Sequence, residues 1–284
     1  MFILVEKNAC EKSVQLFSVA TDGTFGVWDL RPPVAKKSRT GLNRKNRAQK
    51  EESTPIQIDP WVHLNLVWKP LLKASIQRGD TGGLHNPFRI SILPISTDGT
   101  LRTEYFCGTE DGDLLYGSIK LVKDGDSGKM VAPRPQWTSN AHSGPVVSLM
   151  RSSFFNDVVL SVGGWSFAIW KEDAEKDIAQ QPLLMVSSNE KKYTAGAWSP
   201  SRPGIFFVGT QEGNIEVWDL LEKTHEPSVV QNVTTARITE LKPFIISNRL
   251  HLLAVSDAVG TLHILELPWN LRHPTPNETN SVQG

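Results

Sequence analysis

Two short stretches contain the residue types that enzymes use to bind phosphate or to attack a carbonyl group. Residues 125–130, GDSGKM, combine glycines with a lysine, but they lack the glycine spacing of a phosphate-binding loop and the Ser or Thr that follows its lysine. Residues 163–167, GGWSF, place a serine after glycines, but the glycine that follows the serine in a nucleophile elbow is missing. We therefore predict that the chain is not an enzyme.

The histidines and cysteines do not predict a metal site. The seven histidines are scattered, and none stands at a metal-ligand spacing from a Cys, Asp or Glu. Cys10 and Cys107 are too few for a disulfide framework, which indicates a reducing compartment such as the cytosol. We expect no cofactor and no bound metal.

One turn-and-strand pattern recurs five times along the chain. Its clearest copies are residues 21–29, TDGTFGVWD, and 211–219, QEGNIEVWD, and a third copy is 163–170, GGWSFAIW. Two decayed copies are 110–117 and 258–265, and from the second copy onward the turns lie 53, 48 and 47 residues apart. That period, together with a strand that ends in Trp-Asp, is typical of the blades of a WD-repeat propeller.

An apolar run precedes four of the turns, at residues 16–20, 158–162, 205–209 and 252–256. Near-continuous apolar runs of this length are typical of central strands that are buried on both faces. A unit of strand, turn and strand cannot bury both faces alone, so neighbouring units must stack. The sequence predicts an all-β fold, a WD40-type β-propeller with about five blades and an incomplete ring.

The predicted domain organisation has three parts. A partial WD-repeat propeller covers residues 1–271, a basic mobile loop is inserted at 31–60, and a polar C-terminal tail covers 272–284. Closed rings in this class usually have seven blades, and residues 1–5 already read as a strand of a blade. We therefore expect a C-terminal fragment or a short isoform that lacks the first blades.

Charge excludes some partners and leaves others open. The 30 basic and 30 acidic residues cancel, and no stretch approaches the roughly 20 apolar residues of a membrane helix, so we expect no membrane contact. The segment from Arg31 to Lys50 carries eight Lys or Arg residues and no acidic residue. We interpret it as a solvated loop; binding to nucleic acid, nuclear import and contact with an acidic partner such as a microtubule are its alternatives.

Several residues match the positions that hold a WD repeat together. In such repeats a histidine is linked through a strand serine to the tryptophan by hydrogen bonds, and His142, Ser161 and Trp170 match these three positions. Gly164 stands where the repeat usually has an Asp, so this chain of hydrogen bonds is predicted to be incomplete. We predict a structural role for these residues and for the two Trp-Asp pairs, Trp28 with Asp29 and Trp218 with Asp219.

The detail of several segments resembles the axonemal dynein intermediate chains. The resemblance rests on residues 142–146 (HSGPV), 153–157 (SFFND), 162–170 (VGGWSFAIW), 107–113 (CGTEDGD) and 198–206 (WSPSRPGIF). The closing residues 267–271, LPWNL, are most similar to the inner-arm type. Together the similarity covers about residues 14 to 271.

The resemblance implies a non-catalytic scaffold subunit of an axonemal, inner-arm dynein complex. Such a subunit docks the dynein heavy chain, together with other intermediate and light chains, for arm assembly and for the motility of cilia and flagella. It implies a location in the cytoplasm and cytoskeleton, at the axoneme of the cilium. The alternative is a general cytoplasmic WD-repeat adaptor, for example in actin-cytoskeleton regulation or in a ligase complex.

A partner would bind on the rim that the turns between second and third strands form. Trp165 lies in such a turn, where it either anchors an interface or packs against the neighbouring blade. Acidic residues occupy equivalent or adjacent turn positions, where they either contact the partner or accept hydrogen bonds from the backbone of their own turn. These residues are Asp22, Glu110, Asp111 and Glu212.

Overall fold

The computed structural model describes residues 2–7, 13–29, 70–76, 84–92, 104–120, 122–123, 130–131, 134–172 and 181–283. These residues form five antiparallel sheets, here called blades 1 to 5, in the order of the chain. The basic segment 31–60 and the glycine-rich residues 125–129 lie outside the described part of the chain, as does the predicted first residue of the propeller. The domain boundaries therefore stay a prediction.

Each of the first four blades is a four-stranded antiparallel sheet, and the fifth has three strands. Blade 1 consists of β1 (Phe2–Lys7), β2 (Ser13–Val19), β3 (Thr24–Asp29) and β4 (Leu72–Ser75). Blade 2 consists of β5 (Pro87–Ile92), β6 (Glu104–Thr109), β7 (Asp113–Ser118) and β10 (Trp137–Asn140), with a small hairpin of β8 (Val122–Lys123) and β9 (Met130–Val131) before its last strand.

The remaining blades follow without such a hairpin. Blade 3 consists of β11 (Val146–Arg151), β12 (Val158–Gly163), β13 (Ser166–Lys171) and β14 (Leu184–Ser187). Blade 4 consists of β15 (Tyr193–Trp198), β16 (Ile205–Thr210), β17 (Asn214–Asp219) and β18 (Val229–Asn232). Blade 5 consists of β19 (Ile238–Ser247), β20 (Leu250–Asp257) and β21 (Leu262–Glu266), and two short helices follow, α1 (Trp269–Arg272) and α2 (Glu278–Gln283).

The repeated motif of the sequence is the turn between the second and third strands of each blade. Gly112 and Gly213 have φ angles of +95° and +81°, and a Cβ at Gly213 would lie 1.9 Å from the carbonyl oxygen of Thr234. Only glycine adopts a positive φ and lets the next loop approach this closely without strain. In the third copy the left-handed residue is Gly164, with φ +56°, rather than the aligned Trp165, because this hairpin connects Gly163 and Ser166 with two residues.

The hydrophobic core lies between neighbouring blades rather than inside any one of them. Phe17 and Phe25 of blade 1 pack with Tyr105 of blade 2, and separate clusters fill the spaces between blades 2 and 3, 3 and 4, and 4 and 5. Between blades 3 and 4, the Phe167 ring lies 4.9 Å from the Trp218 ring. Over the described residues the blades form an open stack and not a closed ring. The prediction of an all-β WD40-type propeller with about five blades and an incomplete ring is confirmed.

The central strands are buried on both faces where a blade has neighbours on both sides. Every residue of β16, from Ile205 to Thr210, is buried. In β20 the burial alternates, since Leu253 and Val255 face blade 4 while Leu252 and Ala254 are half-buried. In β2 the burial alternates in the same way, with Phe17 and Val19 buried and Leu16 and Ser18 half-buried. The prediction of two buried faces is therefore wrong for residues 16–20 and 252–256, because among the described residues blades 1 and 5 are each covered on one face only.

Candidate functional site

A buried chain of hydrogen bonds connects two strands of blade 3, β12 and β13, with the loop before the blade. His142 Nε2 lies 2.9 Å from Ser161 Oγ, and Trp170 Nε1 donates to the same hydroxyl oxygen over 2.8 Å. His142 Nδ1 lies 2.7 Å from Ser166 Oγ. Burial lowers the pKa of His142 to about 4, so the imidazole is neutral at pH 7 and both of its nitrogens are occupied inside the protein.

The prediction that Gly164 leaves this chain incomplete is wrong. The hydroxyl of Ser166, the first residue of β13, lies within hydrogen-bond distance of His142 Nδ1 and so continues the chain on that side. The backbone leaves no room for a larger residue nearby, since a Cβ at Gly163 would lie 3.0 Å from His142 Cβ. The residues that were predicted from the motif, His142, Ser161 and Trp170, are thus joined to a fourth that the motif did not indicate.

The other two predicted Trp positions have different partners. Trp28 Nε1 donates to Ser18 Oγ over 2.8 Å in blade 1, while Trp218 Nε1 donates to Glu216 Oε2 over 3.2 Å in blade 4. Glu216 is 1% exposed and is paired with Lys191, whose Nζ lies 2.9 Å away. Sequence reasoning missed Glu216, although a carboxylate between apolar strand residues is the signal that could have found it.

The two predicted Asp positions differ in what the structure shows. Asp219 Oδ2 forms an ion pair with Arg202, whose Nη2 lies 3.0 Å away, and Oδ1 accepts a hydrogen bond from the backbone nitrogen of Leu221. These contacts anchor the end of β17 to the turn before β16. The side chain of Asp29 lies outside the described part of the chain.

Trp165 lies in the two-residue turn of blade 3 and is 37% exposed. Its carbonyl accepts from the backbone of Ser188, which holds the turn against the loop that leads to blade 4. The Lys192 ammonium lies 5.0 Å from the centre of the indole ring, within the range of a cation–π contact. One face of the ring is thus in contact with the next loop, while more than a third of the side chain stays open to solvent.

An open groove of about 460 Å³ begins beside this indole ring. Its walls come from the end of β10, from the turn of blade 3 and from the outer strand β14. The lining includes Asn140, His142, Trp165, Met185, Ser187 and Asn189. Met185 is 47% exposed, so two large apolar side chains border the groove at the surface.

The four acidic rim residues do not share one environment. Asp22 Oδ1 accepts from the backbone nitrogen of Thr24 over 3.0 Å and from its hydroxyl over 2.6 Å, and these bonds lower the pKa of Asp22. Asp22 therefore stabilises its own turn. Glu110, Asp111 and Glu212 are exposed on the equivalent turns of blades 2 and 4.

No cluster of metal-ligating side chains appears in the part of the chain that the structure describes. Among those residues there is no group of three His, Cys, Asp or Glu side chains that could hold a metal ion. The thiol of Cys107 is fully buried in the core between blades 1 and 2, and burial raises its pKa. No helix in these ranges has the length and apolarity needed to cross a membrane.

The blade pattern and its irregular repeats match a known family. The model of the Dynein axonemal intermediate chain 3 WD40 domain matches residues 3–100 and 95–267. The chain belongs to this family. The resemblance to axonemal dynein intermediate chains that the sequence segments indicate is thereby confirmed.

Relatives within this family extend well beyond the part that is matched. The chain is 36% identical to Dynein axonemal intermediate chain 3 of Mus musculus over 98% of its own length and 36% of the relative's. It is 37% identical to the Homo sapiens protein of that name, over 94% of the chain and 33% of the relative. It is 29% identical to the 70 kDa flagellar outer-arm intermediate chain of Chlamydomonas reinhardtii, over 64% of the chain and 30% of the relative. The chain spans about a third of the length of these curated relatives.

Proposed function

We propose that this chain is a non-catalytic scaffold subunit of an axonemal dynein complex, in which it docks a dynein heavy chain. The observation that carries the proposal is the family match, which extends over residues 3–267 and so covers all five blades. The relatives are named as axonemal or flagellar intermediate chains. On this basis the chain works in the cytoskeleton of the cilium or flagellum, at the axoneme, in arm assembly and motility.

The chemistry of the described residues supports a role without catalysis. A general base needs a nitrogen or oxygen that can reach a substrate proton. Both ring nitrogens of His142 are instead taken by Ser161 and Ser166 inside the blade. A propeller of this kind offers shape and surface groups, which suits a subunit that holds other chains together.

The finer assignments are part of the same proposal. The closing segment 267–271 favours an inner-arm complex, while the relatives include an outer-arm chain. We assign the chain to the inner arm on the strength of that segment, with other intermediate and light chains as further partners. Neither a membrane nor nucleic acid is among the proposed partners.

The proposed contact with the heavy chain is the rim around Trp165. An exposed indole that is held in place by a short turn and by Lys192 loses little conformational freedom on binding. Tryptophan is enriched among residues whose truncation costs most at protein interfaces. Glu110, Asp111 and Glu212 lie on the same rim and add negative charge to it.

The test is an affinity pull-down of the tagged 284-residue chain from ciliated cells, read by mass spectrometry. We expect dynein heavy chains to be recovered, and to be reduced at least tenfold with Trp165→Ala at an unchanged melting temperature. Phe154→Ala is the matched control, because Phe154 is 39% exposed at the other end of blade 3. Recovery of actin regulators or ligase subunits without dynein would favour the adaptor alternative and contradict the proposal.

A further inference from the structure

The groove beside Trp165 has the size of a binding site for part of a peptide. Pockets that hold a ligand in proteins usually have volumes of about 300 to 1,000 Å³, and this one measures about 460 Å³. It is open to solvent along the rim between blades 2 and 3.

The side chains at the groove favour one apolar residue with polar backbone on either side. Trp165 and Met185 present large, exposed apolar surfaces, which attract an apolar side chain from water. Asn140, Ser187 and Asn189 line the remainder and carry hydroxyl or amide groups without charge. Such groups can donate to and accept from the backbone of an extended segment.

Residues of opposite charge flank the groove on two sides, outside its uncharged lining. At the end toward blade 4, the ammonium of Lys192 lies over the Trp165 ring, and the neighbouring Lys191 is already paired with Glu216. At the end toward blade 2, the backbone nitrogen of His142 donates to the carbonyl of Gly112 over 3.1 Å. This bond places Gly112 beside a residue of the groove lining, and the exposed Glu110 and Asp111 directly precede Gly112 in the same turn.

We propose that the groove binds an extended peptide segment in which one large apolar side chain lies between a basic and an acidic residue. The apolar side chain fills the space between Trp165 and Met185. The acidic residue pairs with Lys192, and the basic residue pairs with Glu110 and Asp111. The proposal rests on the proposed function in one respect, namely that the segment belongs to the dynein heavy chain. Nucleic acid does not fit, because its phosphates would meet the two carboxylates.

The direct test is a binding titration of the whole 284-residue chain with fluorescein-labelled peptides. The probe is the heptapeptide Gly-Lys-Ser-Phe-Ser-Asp-Gly, and the matched peptide has Ser in place of Phe. We expect fluorescence anisotropy to show that the wild-type chain binds the Phe peptide. The Ser peptide should bind the wild type at least tenfold more weakly, and Trp165→Ala should bind the Phe peptide at least tenfold more weakly. Equal anisotropy changes for the Phe and Ser peptides would overturn the proposal.

A charge exchange tests the polarity of the groove. Lys192→Glu should weaken binding of the Phe peptide about two- to fivefold, as expected for the loss of a partly exposed ion pair. A Phe peptide with Lys in place of Asp should bind the Lys192→Glu variant with the lost affinity restored. Lys171→Glu is the control, since Lys171 is exposed at the opposite end of β13 and should change nothing. Loss of binding without regain by the exchanged peptide would contradict the assigned pairing.

The peptide titration and the pull-down fail independently. If Trp165→Ala loses the peptide but keeps the heavy chain, the groove is a peptide site and the proposed heavy-chain contact at this rim is wrong. If the variant loses the heavy chain while the Phe and Ser peptides bind equally to the wild type, the heavy-chain contact stands and the proposed peptide chemistry is wrong.

Discussion

Arg202 and Glu278 form a buried ion pair that joins two segments 76 residues apart in the chain. Arg202 Nε lies 3.1 and 3.0 Å from the two carboxylate oxygens, and the side chains are 8% and 1% exposed. Glu278 also accepts from the backbone nitrogens of Gly204 and Thr275. The pair holds helix α2 against the turn before β16, so the segment after blade 5 returns to blade 4.

Removal of one partner of this pair should destabilise the chain. Glu278→Gln replaces a buried carboxylate by a neutral amide, while Asp219 stays paired with the Arg202 guanidinium. The cost should therefore lie below the roughly 3 to 5 kcal/mol of an uncompensated buried charge. We expect a clearly lower urea midpoint for Glu278→Gln. Glu266→Gln is the control, because Glu266 is 63% exposed and lies 3.6 Å from Arg272, so its loss should change the midpoint little. Equal midpoints for Glu278→Gln and wild type would show that α2 is not held by this pair.

The same pair predicts a dependence of stability on acid. Burial by itself raises the pKa of Glu278, but hydrogen bonds from the Thr275 backbone and from Arg202 lower it below its usual value overall. A lowered carboxyl pKa contributes stability that is fully present above the unfolded value of about 4.3 and is lost as pH falls through the folded value. The difference in unfolding free energy between wild type and Glu278→Gln should therefore shrink below about pH 4. A difference that grows with acid would contradict this sign.

His142 predicts a second pH dependence in a different window. Because burial lowers its pKa from 6.5 to about 4, the unfolded state binds a proton between these values and the folded state does not. Stability should fall as pH drops from about 6.5 to about 4, by about 3 kcal/mol in total, since one pKa unit corresponds to about 1.4 kcal/mol. His142→Gln removes the titration, so unfolding curves at several pH values should show a shallower slope for the variant. Parallel slopes would mean that the folded His142 accepts a proton.

Two turn glycines with similar backbone angles should respond differently to alanine. Gly213 has φ +81° and would place a Cβ 1.9 Å from Thr234 O, while Gly260 has φ +91° and nothing within 4 Å. Gly260→Ala carries only the strain of the left-handed conformation, about 1 to 2 kcal/mol. Gly213→Ala must also displace the backbone of the next loop, so its melting temperature should fall much further. Similar melting temperatures for the two variants would show that the backbone at Thr234 moves away from the new Cβ at little energetic cost.

Much of the fold could be predicted because the repeat is periodic. The Asp-Gly and Glu-Gly turns, the alternation in 213–219 and the Trp-Asp ends each depend on near neighbours in the chain. Residues such as Phe25 and Val217 are buried as the pattern requires, since each blade repeats the same local solution. The relationship to dynein intermediate chains was predicted from the residue detail of segments such as 162–170 and 198–206, because the repeat period alone does not distinguish one WD-repeat family from another.

Less of the candidate site could be predicted, because its contacts cross between strands and blades. No local pattern indicates that Ser166 reaches His142, that Glu216 is buried beside Lys191, or that Lys192 covers Trp165. The predicted turns do join the second and third strands of their blades, but Asp22 bonds to Thr24, while the turn of Glu110 and Asp111 bonds to the loop of His142 through Gly112. Which of these residues contact a partner stays a prediction.

The sequence by itself determined the blade, its turns and the family, because these follow from short motifs of fixed residue type and from the regular spacing at which the motifs recur. Only the tertiary structure decided which faces are buried and which polar groups find partners. Leu252 and Leu253 illustrate the difference, since their side chains are alike and only the blade on one side makes Leu253 the buried one. Glu278 shows the same for charge, because a carboxylate in a polar segment becomes a buried partner only where the stack brings Arg202 to it.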